Sequence, residues 1–158
     1  MAVDRKGATV RRAGPEGTLI RTALVSWLTH PPHGHAHVGL GSHAVTPLPL
    51  SFPSEPPEPE VTDPGELMAA AHGAAFAVSL ASILEAGGKP ARELVTSTAY
   101  KHGDSWCELK SIEISVFGRV DTLDAEAFEG AALLAAERCR RSFGLGAQTE
   151  VTVRSKLA

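Results

Sequence analysis

Residues 62–88 read TDPGELMAAAHGAAFAVSLASILEAGG, and this stretch decides the fold. Asp63 is a favourable N-cap and Pro64 suits the first helical position. Glu66 follows the cap by three residues, which is the spacing of a capping box and by itself explains this carboxylate. The Gly-Gly pair that closes the apolar run is a typical helix stop. The stretch therefore predicts a helix over 64–86 that is apolar on nearly every face, and we expect protein to surround it.

The same helix raises the membrane question. Residues 67–84 contain no Asp, Glu, Lys or Arg over eighteen positions, which is the lower limit for a membrane span. Much of the run is alanine, which contributes little to membrane insertion, and the run also includes His72, Ser79 and Ser82. We therefore interpret it as the long buried central helix of a soluble protein and expect no membrane partner.

The flanking residues alternate between strand and helix patterns. The predicted elements, in chain order, are a hairpin within 7–27, a strand over 35–45, an extended proline-rich loop over 47–59, the central helix, strands over 93–102 and 106–120, a helix from Asp124 to about Ser142, and a strand over 150–157. This order predicts an α+β fold with mostly antiparallel sheets. We expect one domain over 1–158, with N-terminal strands and the loop in 1–61 and a two-helix region in 62–158.

Composition narrows the function classes. The chain has 158 residues, a net charge of −3 and 43% hydrophobic residues, so it offers no basic field for nucleic acid. Two cysteines are too few for a secreted disulfide scaffold. Residues 1–12 carry early charge and lack the apolar core of a signal peptide. We expect a cytoplasmic protein that binds no nucleic acid and needs no cofactor.

A histidine run, HPPHGHAH at residues 30–37, is the first candidate site. In a strand, His33, His35 and His37 would point to one face, as a metal site could use. No Cys, Asp or Glu nearby completes the ligand set. An exposed loop with incidental affinity for nickel or zinc is the favoured interpretation, and a metal-binding or scaffold role for the His30–His37 run is the alternative.

His72 and Cys139 are the next candidates. His72 lies in the middle of the apolar helix, where an imidazole more often bonds to a neighbouring group than takes part in catalysis. Cys139 lies on the predicted core-facing stripe of the second helix, beside three arginines. Guanidinium groups would stabilise a thiolate, whereas a helix C-terminus opposes one, so the direction in which the arginines point decides. The alternative is a small buried hydrophobe.

Two stretches together resemble a known family. Residues Thr62–Phe76 and Leu123–Cys139 are similar to the two helices of the OsmC/Ohr family, the osmotically inducible and organic hydroperoxide resistance proteins. The resemblance implies an OsmC-like fold that forms an intertwined homodimer with its active sites at the dimer interface. It also implies a reaction in which a peroxidatic cysteine attacks the O–O bond of an organic hydroperoxide. The resulting sulfenic acid condenses with a second-helix cysteine, and a cellular dithiol reduces the disulfide.

The chain departs from the family pattern at its centre. The family's peroxidatic cysteine aligns with Ala75, whose methyl group cannot attack a peroxide, while the resolving cysteine is retained as Cys139. The glutamate of the hydroperoxide branch aligns one residue before Glu66, which fits the wider family's Pro-x-Glu-Leu pattern instead. The family's N-terminal arginine matches Arg11 or Arg12, and we take Arg12 as the candidate.

Three functional hypotheses follow. The leading one is a homodimer that has lost the two-cysteine peroxidase and binds an organic hydroperoxide or another small apolar ligand beside His72, Ala75 and Phe76. It predicts an apolar pocket there with Cys139 on its wall. The second is a residual thiol peroxidase or reductase that uses Cys139 alone with a dithiol reductant, which predicts an exposed thiol with a lowered pKa. The third is the metal-binding or scaffold dimer.

Overall fold

A computed structural model describes residues 21–28, 35–51, 60–103, 108–146 and 148–158. The chain divides into two compact units, residues 1–64 and residues 65–158. The described residues form β1 (Ala23–Leu28), β2 (His35–Leu40), β3 (Leu48–Leu50), α1 (Pro64–Ala86), β4 (Ala91–His102), β5 (Leu109–Val120), α2 (Ala125–Ser142) and β6 (Glu150–Leu157). The predicted α+β class is confirmed, and the single-domain interpretation stays a prediction.

The first unit contains a three-stranded antiparallel sheet in the order β1-β2-β3. The strand predicted over 35–45 ends at Leu40, where Gly41 approaches Thr22 so closely that an added Cβ would clash. The prediction of an extended loop over 47–59 is wrong at its start, because β3 lies there and pairs with β2. Pro49 is accommodated since β3 is an edge strand of this sheet, where a missing N–H donor costs little. The rest of that loop and the first half of the predicted hairpin lie outside the described residues.

The second unit contains a sheet in the order β4-β5-β6. Strands β4 and β5 are antiparallel, whereas β5 and β6 are parallel. No βαβ pattern is evident in the sequence, but α2 carries the chain back along the sheet and lets β6 run beside β5 in the same direction. The predicted alternation along β5 is confirmed. Its inward residues are buried, namely Ile112, Ile114, Val116 and Val120.

Helix α1 has the predicted limits, since it begins at Pro64 and ends at Ala86. At its end Gly88 adopts φ +69° and the N–H of Lys89 donates to the carbonyl of Leu84 at 2.9 Å, which is the glycine stop expected from the sequence. Burial is confined to one face of the helix, at His72, Gly73, Phe76, Leu80 and Leu84. Within a single chain, protein therefore covers much less of α1 than its apolar sequence predicts.

Helix α1 is also long and apolar enough, by length and composition, to cross a membrane. The core helix of a soluble protein passes the same test, so this property is weak evidence for a span. Its buried face packs into the same core as α2 and β5, through Phe76, Leu80 and Leu84. That packing agrees with the interpretation of α1 as a core helix.

Helix α2 starts and ends where its sequence predicts. The carboxylate of Asp124 caps the helix by accepting the N–H of Ala127 at 2.8 Å. The helix ends at Ser142, and Phe143 is its C-cap. The helical spacing of Phe128, Ala131, Ala135 and Cys139 predicts one core-facing stripe; Ala131 is half-buried and the other three residues are buried. This stripe packs the second helix against the same sheet that supports α1.

Candidate functional site

His72 is the centre of a small aromatic cluster on the inner face of α1. Its Nδ1 lies 3.0 Å from the hydroxyl of Tyr100 on β4. Its ring stacks on that of Phe143 at the end of α2, with centroids 4.7 Å apart and planes 20° apart. The imidazole is fully buried. It lies on α1 and contacts both β4 and the end of α2.

Burial sets the protonation of this cluster. It lowers the pKa of His72 and raises the pKa of Tyr100, because both charged forms would lose hydration. Both groups are therefore neutral near pH 7. The Nε2 atom of His72 is buried and has no hydrogen-bond partner among the described residues. The sequence-based interpretation of His72 as a structural histidine agrees with this packing.

Cys139 lies one helical turn before Phe143 and is only 3% exposed. The three arginines beside it do not activate it. Arg138 and Arg141 are exposed, and Arg140 donates from Nη2 to the carbonyl of Gly146 at 2.9 Å. Burial raises the pKa of the Cys139 thiol, which is the opposite of what a reactive thiolate needs. Burial and the raised pKa of Cys139 favour the interpretation of a small buried hydrophobe over that of a reactive thiolate.

Ala75, which the sequence resemblance aligns with the family's peroxidatic cysteine, is half-buried on α1. Its methyl group packs against the core cluster that contains Phe76 and Cys139. Phe76 is fully buried in that core and therefore presents no free surface to a ligand. Ala75 and Cys139 thus belong to one core, and the pairing that the resemblance implies for these two positions stays a prediction.

A shallow groove of about 260 Å³ lies between α1 and β4. Its lining residues are Glu66, Ala69, Ala70, Gly73, Ala74, Thr96 and Thr98. Gly73 brings the helix so close to the sheet that an added Cβ would lie 2.8 Å from Thr98 Oγ1. The groove lies beside the face of α1 that carries His72. Its lining includes Glu66 but not His72, Ala75 or Cys139.

Several candidates fall outside the described residues. Arg12 and His33 do, and so does the side chain of His35, whereas His37 is half-buried on β2 opposite Ser26. Within the described ranges, no group of three or more His, Cys, Asp or Glu side chains could hold a metal ion. The metal interpretation of the histidine run therefore stays a prediction.

Sequence reasoning missed two members of the aromatic cluster. Tyr100 lies on the inward face of β4, where alternation with the exposed Ala99 and Lys101 was a usable signal. Phe143 lies just past the end of α2, and no periodic pattern connects this position with His72. Only the tertiary packing of α1 against the end of α2 brings these two rings together.

The fold and the paired helices agree with one family. The chain matches the family described as OsmC-like protein over residues 57–154, which is more than half of its length. The chain therefore belongs to the OsmC-like family. A comparison with curated protein sequences gives no match.

Solved structures share the fold at low sequence identity. The OsmC-like protein from Mycoplasma pneumoniae has a TM-score of 0.69 at 8% identity, covering 89% of this chain and 98% of its own. An organic hydroperoxide resistance protein from Elizabethkingia anophelis, with thiocyanate bound, has a TM-score of 0.68 at 14% identity over 91% and 100%. An organic hydroperoxide resistance protein OsmC from Legionella pneumophila has a TM-score of 0.64 at 16% identity over 87% and 97%. These similarities define the fold.

Proposed function

We propose that this chain is an OsmC-family protein of the organic hydroperoxide response that lacks the two-cysteine peroxidase and binds a small, mainly apolar ligand. Family membership and the hydroperoxide resistance proteins among its structural neighbours support the response. One observation carries the loss of activity. The thiol at the resolving position, Cys139, is buried with a raised pKa, while the peroxidatic position is Ala75.

The chemistry of peroxide reduction explains why these two positions matter. The nucleophile on a peroxide O–O bond is a thiolate, and the attack needs both ionisation and access. The methyl side chain of Ala75 has no sulfur atom and therefore cannot form the thiolate that attacks the peroxide. Cys139 keeps its sulfur, but burial disfavours the thiolate and the protein covers the atom. A single-thiol peroxidase that uses Cys139 therefore has no observation in its favour.

The groove between α1 and β4 supports the binding half of the proposal. Its lining includes Gly73 and the alanines Ala69, Ala70 and Ala74, whose surfaces suit the apolar part of a ligand. Thr96, Thr98 and the carboxylate of Glu66 add polar atoms that accept hydrogen bonds. A ligand with an apolar body and a hydroxyl or hydroperoxyl end matches this lining. Such a ligand would bind without oxidising the protein.

We also propose that a second copy of this chain covers the outer face of α1. That face is apolar and exposed, with Val78 at 71% and Met68 at 42% exposure beside small alanines. An exposed apolar face of this kind marks an interaction surface. The resemblance to intertwined homodimers selects a second copy rather than an unrelated partner. We expect sedimentation to give a dimer, and Val78→Glu to give a monomer, because the substitution would bury a charge at the interface. A wild-type monomer at micromolar concentration would contradict the dimer.

A steady-state assay with cumene hydroperoxide and a dithiol reductant tests the proposed function. We expect no turnover from the wild-type chain or Cys139→Ser, and measurable turnover from Ala75→Cys. The matched control is Ala74→Cys, which adds a thiol to the same helix at an exposed groove position. Turnover by the wild type that is lost in Cys139→Ser would overturn the proposal. Equal turnover by both added thiols would remove the special role of position 75.

A further inference from the structure

The ring of Phe143 covers His72 from the solvent side. His72 is fully buried, whereas Phe143, stacked on it at 4.7 Å, is 38% exposed. A ring that contacts water on one face and an imidazole on the other is a lid over that imidazole. If Phe143 swung outwards, water would reach His72.

The lid lies in the turn that ends α2, which is closed by hydrogen bonds from the N–H of Gly144 to Arg141 and from the N–H of Leu145 to Arg140. Phe143 is the C-cap of α2, and its N–H donates to the carbonyl of Cys139 at 2.9 Å. The next residue, Gly144, adopts φ +61°, a left-handed conformation that allows the chain to turn away from the helix. Helix ends are the parts of a fold that open most easily. Opening this turn would also expose Cys139, which lies one turn earlier on the same side of α2.

Among the residues that the structure describes, the groups around His72 offer no counter-charge to a protonated imidazole. From β4, the facing groups are the hydroxyls of Tyr100 and Thr98, with His102 beyond Tyr100. Along α1, the nearest side chains one turn away are Met68, Ala69, Ala75 and Phe76, none of which titrates.

From the end of α2, the nearest titratable groups are the Cys139 thiol and the neighbouring arginines, of which Arg140 bonds to Gly146. The face of Phe143 would attract an imidazolium through a cation–π interaction, but it supplies neither a counter-charge nor the hydration that burial removes. A proton on His72 would thus be buried without a carboxylate among these described neighbours.

We propose that Phe143 is an acid-operated lid: protonation of His72 releases the Phe143 ring and the last turn of α2, and admits water to His72 and Cys139. The device does not depend on the proposed function, because it rests on the cluster alone. The lowered pKa of His72 agrees with it. An exposed imidazole has an ordinary pKa of 6.5. Acidification from pH 7.5 to 5.0 therefore raises the open population by at most about 30-fold.

Labelling of Cys139 measures this opening directly. The full-length Cys107→Ser chain, in which Cys139 is the remaining thiol, is reacted with 4,4′-dithiodipyridine at pH 7.5 and 5.0. At each pH the labelling rate of the same chain unfolded in urea is divided by the rate of the folded chain. This ratio is the protection factor, and the effect of pH on thiol ionisation cancels in it. We expect the factor to fall by about 10- to 30-fold on acidification. The urea dependence of labelling should be weaker than that of global unfolding, because only one turn opens.

Variants identify the responsible group. His72→Phe keeps an aromatic ring that cannot be protonated, so its protection factor should not fall on acidification. His102→Gln removes the other imidazole of the cluster and should keep the fall. Phe143→Ala should give low protection at both pH values. The proposal would be overturned if the protection factor of the chain with His72 intact did not change with pH. It would also be overturned if the factor fell as much in His72→Phe as in that chain.

A measurement on the unmodified chain guards against a variant that fails to fold. The ring signals of His72 and Phe143 are followed by NMR from pH 7.5 to 5.0. We expect the two sets of signals to change together at whatever pH His72 takes up its proton. If His72 titrates while Phe143 keeps its shifted ring signals, the lid proposal is wrong.

Discussion

The imidazole of His72 stacks on the ring of Phe143, with centroids 4.7 Å apart and planes inclined by 20°. The contact connects the middle of α1 to the end of α2, two helices that belong to one core. It lies one turn from Cys139, which we propose occupies the family's resolving position. Aromatic packing thus occupies the inner face of the helix pair at this point.

The free energy of unfolding should fall as the pH falls below 6.5. The pKa of His72 is lower in the folded than in the unfolded chain, because burial disfavours the imidazolium. Above pH 6.5 both states are neutral and the group has no effect. Below it the unfolded state binds a proton that the folded state does not, so stability decreases by up to about 1.4 kcal/mol per pH unit. Urea titrations between pH 7.5 and 5.0 measure this slope.

The matched control for that slope is His72→Gln, which removes the titrating group and should flatten the curve in this range. An unchanged slope in His72→Gln would assign the acid sensitivity to other groups. The comparison uses differences between curves, so the cost of the substitution itself cancels.

Tyr100→Phe should lower stability by about 1–3 kcal/mol, because it leaves the Nδ1 atom of buried His72 without its partner. The loss should shrink when His72 is already replaced, as in His72→Phe with Tyr100→Phe, since the hydroxyl then has no imidazole to bond. A double-mutant cycle from chemical denaturation measures this coupling. Additive effects would mean that the 3.0 Å contact contributes nothing to stability.

Two helical glycines should respond to alanine with opposite signs. Gly73→Ala should destabilise, because its Cβ would lie 2.8 Å from Thr98 Oγ1. Gly130→Ala, on α2 with open space around the added methyl, should stabilise by up to about 1 kcal/mol through helix propensity. Thermal or urea unfolding of both variants gives the signs. Thr98→Ala should reduce the cost at Gly73, and stabilisation by Gly73→Ala would show that the helix is not in close contact with β4.

Local signals in the sequence predicted most of the second unit. The Asp63–Pro64 start and the Gly-Gly stop defined α1, and Asp124 defined the start of α2, because capping depends on residues within one turn. The alternation along β5 gave its buried face directly. These features required no knowledge of tertiary contacts.

The remaining features depend on contacts between distant segments. The short strand β3 forms in a proline-rich stretch because β2 supplies its partner, and β6 is parallel because α2 returns the chain to the edge of β5. For the site, the resemblance identified Ala75 and Cys139 as a pair. It did not reveal that Cys139 is buried or that Phe143 covers His72, since both depend on how α2 packs.

The most direct test of the central claim is the intact mass of the protein after one equivalent of cumene hydroperoxide, without a reductant, in the Cys107→Ser background. The account predicts that the Ala75 chain keeps its mass, because Cys139 is covered and un-ionised. It predicts that the Ala75→Cys chain loses two hydrogens, as a sulfenic acid at position 75 condenses with Cys139. An oxygen added to Cys139 in the Ala75 chain at a comparable rate would contradict the account and make Cys139 the peroxide-reactive thiol.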